Sequence, residues 1–353
     1  MPDAPMQPAA PNPMNERMFF VIGAPRSGTT LLMRMLHAHP DIYTRPEPHL
    51  LTPLAYLGYY QHVAKAPFDP FQSHLSVRQF VDDLPRGEDD YLDALRAYTD
   101  TMYGRMLAET GKRYFLDKTP AYALETPFIK RVYPNAQYVV ITRHPFAIFS
   151  SFAKSFFDND WEAAHAFNPI IERYVPAIAD FVRKHAEQGG CVHVRYEDLV
   201  THPEEACKRI CAYADMEYTE AMIAYGEKNL ETKGLGDPIG VAKDNKPNTK
   251  SIEKWALEVH DNPKRLALLQ NMVTLLSDQD LETWGYTRTS LWDALDGVDP
   301  KKARAVQRKA RAWNRYAVER RLLLVLRRNI HQNWFGRVVR KVRFVADILL
   351  RNT

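Results

Sequence analysis

The stretch FFVIGAPRSGTTLLMRML, residues 19–36, decides how the rest of the chain is read. Phe19 to Ile22 is an unbroken apolar run of strand length. From Thr29 onward the apolar residues Leu31, Leu32, Met35 and Leu36 recur at helical spacing, and a glycine-containing loop lies between the two runs. Strand, loop and helix in that order let backbone N–H groups and a helix N-terminus cradle an anion. The spacing Gly23-x4-Gly28-Thr29-Thr30 matches a phosphate loop, except that Thr29 stands where the lysine that reaches a γ-phosphate belongs. Arg26 supplies a cation from within the loop instead. The later apolar run YVVIT, residues 138–142, ends without the aspartate that holds magnesium in phosphate-loop nucleotidases. The loop suits a doubly anionic group that is not a metal-bound triphosphate.

Working outward, residues 17–23 read as a strand and 29–38 as a helix. The proline-rich HPDIYTRPEPHLLTPL, 39–54, reads as loop, followed by a helical region containing Tyr91 to Leu107. RYFLDKTP, 113–120, is a strand ending in a polar turn. Further strands are expected at 136–142 and in CVHVRYEDLV up to Tyr196, with helical patterns across 162–187 and from Pro203. Residues 232–250 are rich in Gly, Pro, Lys and Asn and read as a long loop. Short strands alternating with helices imply an α/β fold, a phosphate-loop-type parallel sheet flanked by helices on both faces. Ligands of such sheets sit outside the carboxyl ends of the strands, which directs attention to 24–30, 117–120, 142–151 and the residues after 195.

At two of those places stand PRSGTT (25–30) and RHPFAIFSSF (143–152), and the pair resembles the paired signature of the sulfotransferases. AHPD at 38–41 makes the chain similar to the tyrosylprotein-type and related bacterial branch. The resemblance spans roughly residues 17–260. It implies 3′-phosphoadenosine 5′-phosphosulfate as co-substrate, the 3′,5′-bisphosphate as product, and no metal. It places Pro25, Arg26, Ser27, Gly28, Thr29 and Thr30 around the 5′-phosphosulfate, with Arg143 and Ser151 on the 3′-phosphate. Tyr196 in RYEDL corresponds to the family's tyrosine near the adenine. Lys246 in NKPNTKSIEKW corresponds to a segment covering the nucleotide, with Lys243 and Lys250 as competitors in this loop. An arginine and a serine hydroxyl are physically apt for a phosphate, since both give charge-assisted hydrogen bonds.

Sulfuryl transfer needs an in-line acceptor, charge stabilisation on the leaving oxygen and a base for the acceptor proton. The resemblance implies Glu47 as general base, seventeen residues beyond Thr30. His49 is the runner-up, because imidazole suits proton abstraction. Arg26 and Lys118 in LDKTP are the cations expected to share the developing charge. The acceptor is left open: a hydroxyl or amine of a small molecule, lipid, glycan or peptide. Two other readings stand beside this one, a nucleotide kinase or ATPase of phosphate-loop ancestry and a non-catalytic membrane-associated binding protein.

Composition is that of an ordinary globular protein, 45% apolar and 25% charged over 353 residues. Residues 1–16 are proline-rich and read as a disordered tail without the features of a secretory signal. With three cysteines and no apolar run of bilayer length, a cytoplasmic location is expected. Cys207 and Cys211, one helical turn apart, read as helix packing. Residues 300–353 hold sixteen Lys or Arg against Glu319 and Asp347, a net of +14. The whole chain is +4, so the remainder carries −10. Phe335, Val338, Val342, Val345 and Leu349 recur every three or four residues among arginines, and RRLLLVLRR precedes them. The domain reading is therefore a body over 17–290 and a basic amphipathic helical extension over 291–353. That extension suits an anionic membrane surface, peripheral at the inner membrane face, or packing on the acidic body of its own or a partner subunit. Nucleic acid is not expected as a partner, for no readout motif is present.

Overall fold

The computed structural model describes residues 14–60, 69–227 and 245–303, together with Val338 and Val342. Five strands form one parallel sheet: β1 (Met18–Ile22), β2 (Ile42–Pro46), β3 (Tyr114–Lys118), β4 (Gln137–Thr142) and β5 (Val192–Arg195), in the order β2-β3-β1-β4-β5. Helix α1 (Thr29–His37) follows β1. Helices α2 (Leu51–Ala55), α3 (Pro70–Asp82) and α4 (Glu88–Ala108) join β2 to β3, and α5 (Thr126–Val132) joins β3 to β4. Between β4 and β5 run α6 (Pro145–Phe157), α7 (Trp161–Phe167) and α8 (Ile170–His185). After β5 come α9 (Tyr196–Thr201), α10 (Pro203–Tyr213), α11 (Lys254–Val259), α12 (Pro263–Thr274) and α13 (Asp278–Thr283).

The strands are buried on both faces, so they read as continuous apolar runs, yet the pleat still sorts their side chains. Phe20, Ile22, Phe115, Tyr138 and Val140 join one apolar cluster, which includes residues of α4, α5, α6 and α8. Phe19, Val21, Leu116, Val139 and Ile141 join the other, with Leu31 and Leu36 of α1, Leu199 of α9 and Cys207 and Ile210 of α10. Cys207 and Cys211 are fully buried there, as helix packing requires. The strand order reverses beside β1, because β2 and β3 lie to one side of it and β4 and β5 to the other. Ligands in such sheets bind at that switch point.

Three expectations are corrected. Residues 39–54 are not all loop: Ile42–Pro46 is the edge strand β2, and Leu51–Ala55 is α2. Prolines around an otherwise alternating segment confine it to a sheet edge rather than exclude it, and Ile42 and Thr44 point inward, with Thr44 Oγ1 donating to Leu116 O at 2.8 Å. The ordered body also reaches further at both ends. Met14 is buried in the core and Asn15 accepts from Asn135 N, ahead of the boundary at 17. Past 290, Leu291 is buried, Trp292 packs 4.7 Å from Phe146, and Ala303 is still buried. The rest of the proline-rich tail, most of the loop at 232–250 and the arm from Arg304 lie outside the described residues, save exposed Val338 and Val342. Among the described residues no helix is long and apolar enough to cross a membrane.

His144 locks α6 onto this framework. Its Nδ1 accepts from Phe146 N at 3.3 Å as the N-terminal cap, and its ring stacks 4.7 Å from Trp255. Burial pushes its pKa from 6.5 down to about 3. The unfolded chain takes up a proton below pH 6.5 that the folded chain refuses until about pH 3, so stability is lost as pH falls through that window. His193, pushed down to about 4 by burial, acts in the same direction. Urea unfolding at pH 7 and pH 5 should show a loss of about 2 kcal/mol from His144 alone. A His144→Asn variant, which can still cap but cannot charge, should lose correspondingly less between the two pH values.

Candidate active site

The loop after β1 is shaped by two glycines. A Cβ on Gly23 would lie 2.7 Å from Ser27 Oγ and 2.8 Å from Ile141 Cγ2, and one on Gly28 would lie 2.5 Å from the Tyr196 ring. Gly28 also has a φ of 99°, which side chains disfavour. The turn is closed by Ser27 N donating to Ala24 O at 3.1 Å. Ser27 is fully buried beneath it, and its hydroxyl has no hydrogen-bond partner among the described residues. The result is a tight cradle opening on the N-terminus of α1.

Arg26 ties this loop to the one after β4. Its Nε donates to Ser151 Oγ at 3.1 Å, across 125 residues of sequence. Arg143 Nη1 donates to Arg26 O at 3.1 Å, Nη2 donates to Ser251 O at 2.6 Å, and the guanidinium lies 4.3 Å over the Tyr196 ring. Arg143 is only 9% exposed. Burial lowers its pKa, opposed by the neighbouring Tyr196 and Glu197. Arg143 Nε is buried without a partner among the described residues. Around these groups lies a cleft of about 510 Å³, lined by Arg26, Gly28, Thr29, Thr30, Arg143, Ser151 and Tyr196. Six of these seven belong to the two motifs, and Tyr196 follows β5.

On the other side of the β1 loop the ends of β2 and β3 carry a second cluster. The register pairs Pro46 with Lys118, so the residue after β2 meets the last residue of β3. Lys118 Nζ donates to Glu47 Oε1 at 2.5 Å, and His49 Nε2 lies 3.9 Å from Glu47 Oε2. Lys118 is 1% exposed, so it is not the surface charge that a lysine after a strand usually is. The next residue back, Asp117, faces the opposite way and accepts from Tyr103 OH at 2.6 Å, Thr119 Oγ1 at 2.9 Å and Tyr122 OH at 3.0 Å. Burial raises its pKa, and those hydroxyls pull it back down. Tyr122 OH in turn accepts from Leu51 N at 3.1 Å. Segment 47–51 is thus fixed at both ends.

Seven non-glycine residues among those described have positive φ. Four are Asp or Asn, types that take this conformation readily; the other three are Arg26, Glu47 and His49. Strain of this kind costs on the order of 1–3 kcal/mol and persists only where the surroundings over-determine it, which is common at functional sites.

The structure thus gathers most of the expected residues into two neighbouring groups. Pro25 and Ser27 shape the loop from within. Lys246 falls outside both groups: it is exposed and does not line the cleft, whereas Pro247, Asn248 and Ser251 do. The segment enters the cleft one residue later than expected and brings a lysine into it only where α11 begins, at Lys254. Lys250 is exposed, and Lys243 lies outside the described residues. Lys154, Lys254 and Glu258 line the cleft as well and were not singled out from sequence. The KW at 254–255 was the available signal, but α11 reaches α6 only through tertiary packing.

A sequence profile described as "Sulfotransferase family" matches residues 19–220, more than half of the chain. Nodulation protein NoeE of Sinorhizobium fredii is 29% identical over 321 residues, covering 83% of this chain and 71% of its own. Protein-tyrosine sulfotransferase 1 of Danio rerio is 22% identical over 268 residues, covering 73% and 71%. Among solved structures, the sulfotransferase domain of the Synechococcus PCC 7002 olefin synthase matches with a TM-score of 0.50 at 24% identity, over 74% of this chain and 94% of that one, a likeness of fold. With its parallel sheet, cradling loop and matching profile, this chain belongs to the sulfotransferase family and is an enzyme of sulfuryl transfer.

Proposed function

We propose that the enzyme transfers a sulfuryl group from 3′-phosphoadenosine 5′-phosphosulfate to an acceptor hydroxyl or amine, with Glu47 as general base. The observation that carries this reading is the Arg26–Ser151 hydrogen bond at 3.1 Å, which joins the two motifs in one cleft. The residues present fit such a donor. Ser27 Oγ and Arg143 Nε are buried polar atoms without partners among the described residues, and the Gly23 cradle has no room for a side chain. Residues 25–30 would hold the 5′-phosphosulfate through loop N–H groups, Arg143 and Ser151 the 3′-phosphate, and Tyr196 the adenine side. The donor supplies an electrophilic sulfur on a bridging phosphate oxygen.

Each protein group then has a defined task. Glu47 takes the proton of the acceptor as its oxygen or nitrogen bonds to sulfur and the bridging S–O bond breaks, leaving charge on the departing phosphate. Arg26 within the loop and Lys118 beside it would meet the charge that develops on the departing phosphate, and cations placed in advance stabilise it without reorganisation. Lys118 also orients Glu47 through their ion pair. The acceptor approaches from the β2–β3 side, and small molecules, lipids, glycans and peptides all offer the required group. The +14 charge of residues 300–353 supports attraction to an anionic membrane face or to an acidic partner surface.

Transfer of radiolabelled sulfate from the donor to cell-extract molecules tests the activity and identifies the acceptor. Glu47→Gln keeps shape but cannot take a proton, so turnover should fall by about 10²–10⁴ while affinity for the 3′,5′-bisphosphate holds. Normal turnover in Glu47→Gln together with an inactive His49→Ala would move the base to His49. Arg143→Ala should weaken bisphosphate binding, measured by calorimetry, by about 1.5–3 kcal/mol. Unchanged affinity there would remove the second motif from the nucleotide site.

A further inference from the structure

Helix α3 rests on the body along a narrow side only. Val81 is buried and Val77 partly so, whereas Phe71, Leu75 and Phe80 are exposed, Phe80 by 69%. Between α3 and α4 runs a groove of about 510 Å³, lined by Val77, Phe80, Val81, Leu84, Tyr91 and Ala94 among others. Tyr98 and Met102 follow Ala94 at four-residue spacing and carry the exposed apolar surface along α4. Contiguous exposed apolar surface of this kind marks an interaction site.

Charge selects the occupant. Residues 69–109 hold nine Asp or Glu against four Arg, a net of −5 and so half of the −10 carried by residues 1–299. Asp90 and Asp93 are held by Arg86. Asp82, Asp83 and Asp89 are exposed around the turn from α3 to α4, and their carboxylates make no ion pair or hydrogen bond among the described residues. An anionic lipid face would be repelled here, and two such grooves set against each other would oppose like charges. Residues 335–349 have the complementary character. Phe335, Val338, Val342, Val345 and Leu349 recur at helical spacing, with Arg337, Arg340, Lys341 and Arg343 between them. Val338 and Val342 are helical and are 42% and 63% exposed, so this apolar face is not seated in the groove of its own chain.

We infer that the α3–α4 groove is the docking site for residues 335–349 of a second copy of this chain, so that two copies exchange arms in a dimer. An amphipathic helix enters an apolar groove by anchors spaced three and four residues apart, which Phe335, Val338 and Val342 supply. The basic residues between them meet Asp82, Asp83 and Asp89, and two-fold pairing makes the same contact twice. The arm's charge then meets the acidic body of a partner rather than a lipid surface. None of the groove residues lines the nucleotide cleft, so the assembly is independent of which donor that cleft takes.

Sedimentation of the full chain at low and high salt tests the exchange. The parent should be a dimer that weakens as salt rises. Val338→Ser combined with Val342→Ser disables the arm, and Phe80→Ser disables the groove. Each variant should raise the dimer dissociation constant by about tenfold or more. Phe80 is exposed, so Phe80→Ser should keep the parent's urea midpoint. Mixed together, the arm variant and the groove variant should associate more tightly than either does alone, because one intact arm and one intact groove remain. A monomeric parent overturns the inference, and if its arm binds phosphatidylserine vesicles the arm belongs to a membrane instead. A dimer that survives either variant also overturns it, since the contact would then lie elsewhere. So does a mixture that associates no more tightly than its components.

Discussion

Arg143 carries its charge into a place where little water reaches it, and three separated segments of chain are arranged around that fact. The loop after β1 offers the Arg26 carbonyl, the segment before α11 offers that of Ser251, and Tyr196 after β5 offers its ring face. Desolvating a guanidinium costs several kcal/mol, so the site holds together only because each of these partners is supplied. Carbonyl oxygens and a π face solvate the cation without neutralising it as a paired carboxylate would. The net positive field survives into the cleft. A buried cation compensated by dipoles is a sound base for an anion site, because its affinity for anions is built before the ligand arrives.

The other half of the site uses the opposite device. Lys118 is also buried but is paired directly with a carboxylate, Glu47. The pair also fixes the loop 47–51, whose far end is tied through Leu51 N to Tyr122 and so to Asp117. Sheet order does the rest. The β1 loop stands between the β2–β3 ends and the β4–β5 ends, so a group held in it would face the Lys118–Glu47 pair on one side and the Arg143 cleft on the other. The left-handed backbone at Arg26, Glu47 and His49 is strain of the kind that persists where the surrounding structure over-determines it.

Charge on this protein is partitioned at two scales. Along the sequence, a body of −10 adjoins an arm of +14. Within the acidic body, the cleft gathers Arg26, Arg143, Lys154 and Lys254 against Glu258. A cationic cleft in an acidic surface focuses field lines inward, which favours capture of a polyanion at the site over adsorption elsewhere. The basic arm is therefore not needed to explain the positive charge of the cleft, and its own charge bears on what the enzyme associates with.

The paired stretches 25–30 and 143–152 carried the family resemblance, and short apolar runs alternating with helical patterns along the chain carried the fold class, because both depend on local spacing: an apolar run, glycines where a Cβ would clash, and an arginine followed eight residues later by a serine. Periodicity located β1, β3, β4 and most helices for the same reason. It failed at β2, where prolines gave a loop signal and only pairing with β3 makes a strand. Lys246 came from the resemblance and not from periodicity: the sequence shows a lysine-rich segment but not which of its lysines the folded chain delivers to the cleft. The role of His144, unassigned from sequence, is set by Trp255 and Leu291, more than a hundred residues away. The pairing of Lys118 with Glu47, the bridge from Arg26 to Ser151 and the anchoring of α11 through Glu258 were decided only by tertiary structure. Each joins residues more than seventy positions apart, and no local pattern can encode a contact whose geometry depends on how the sheet is ordered.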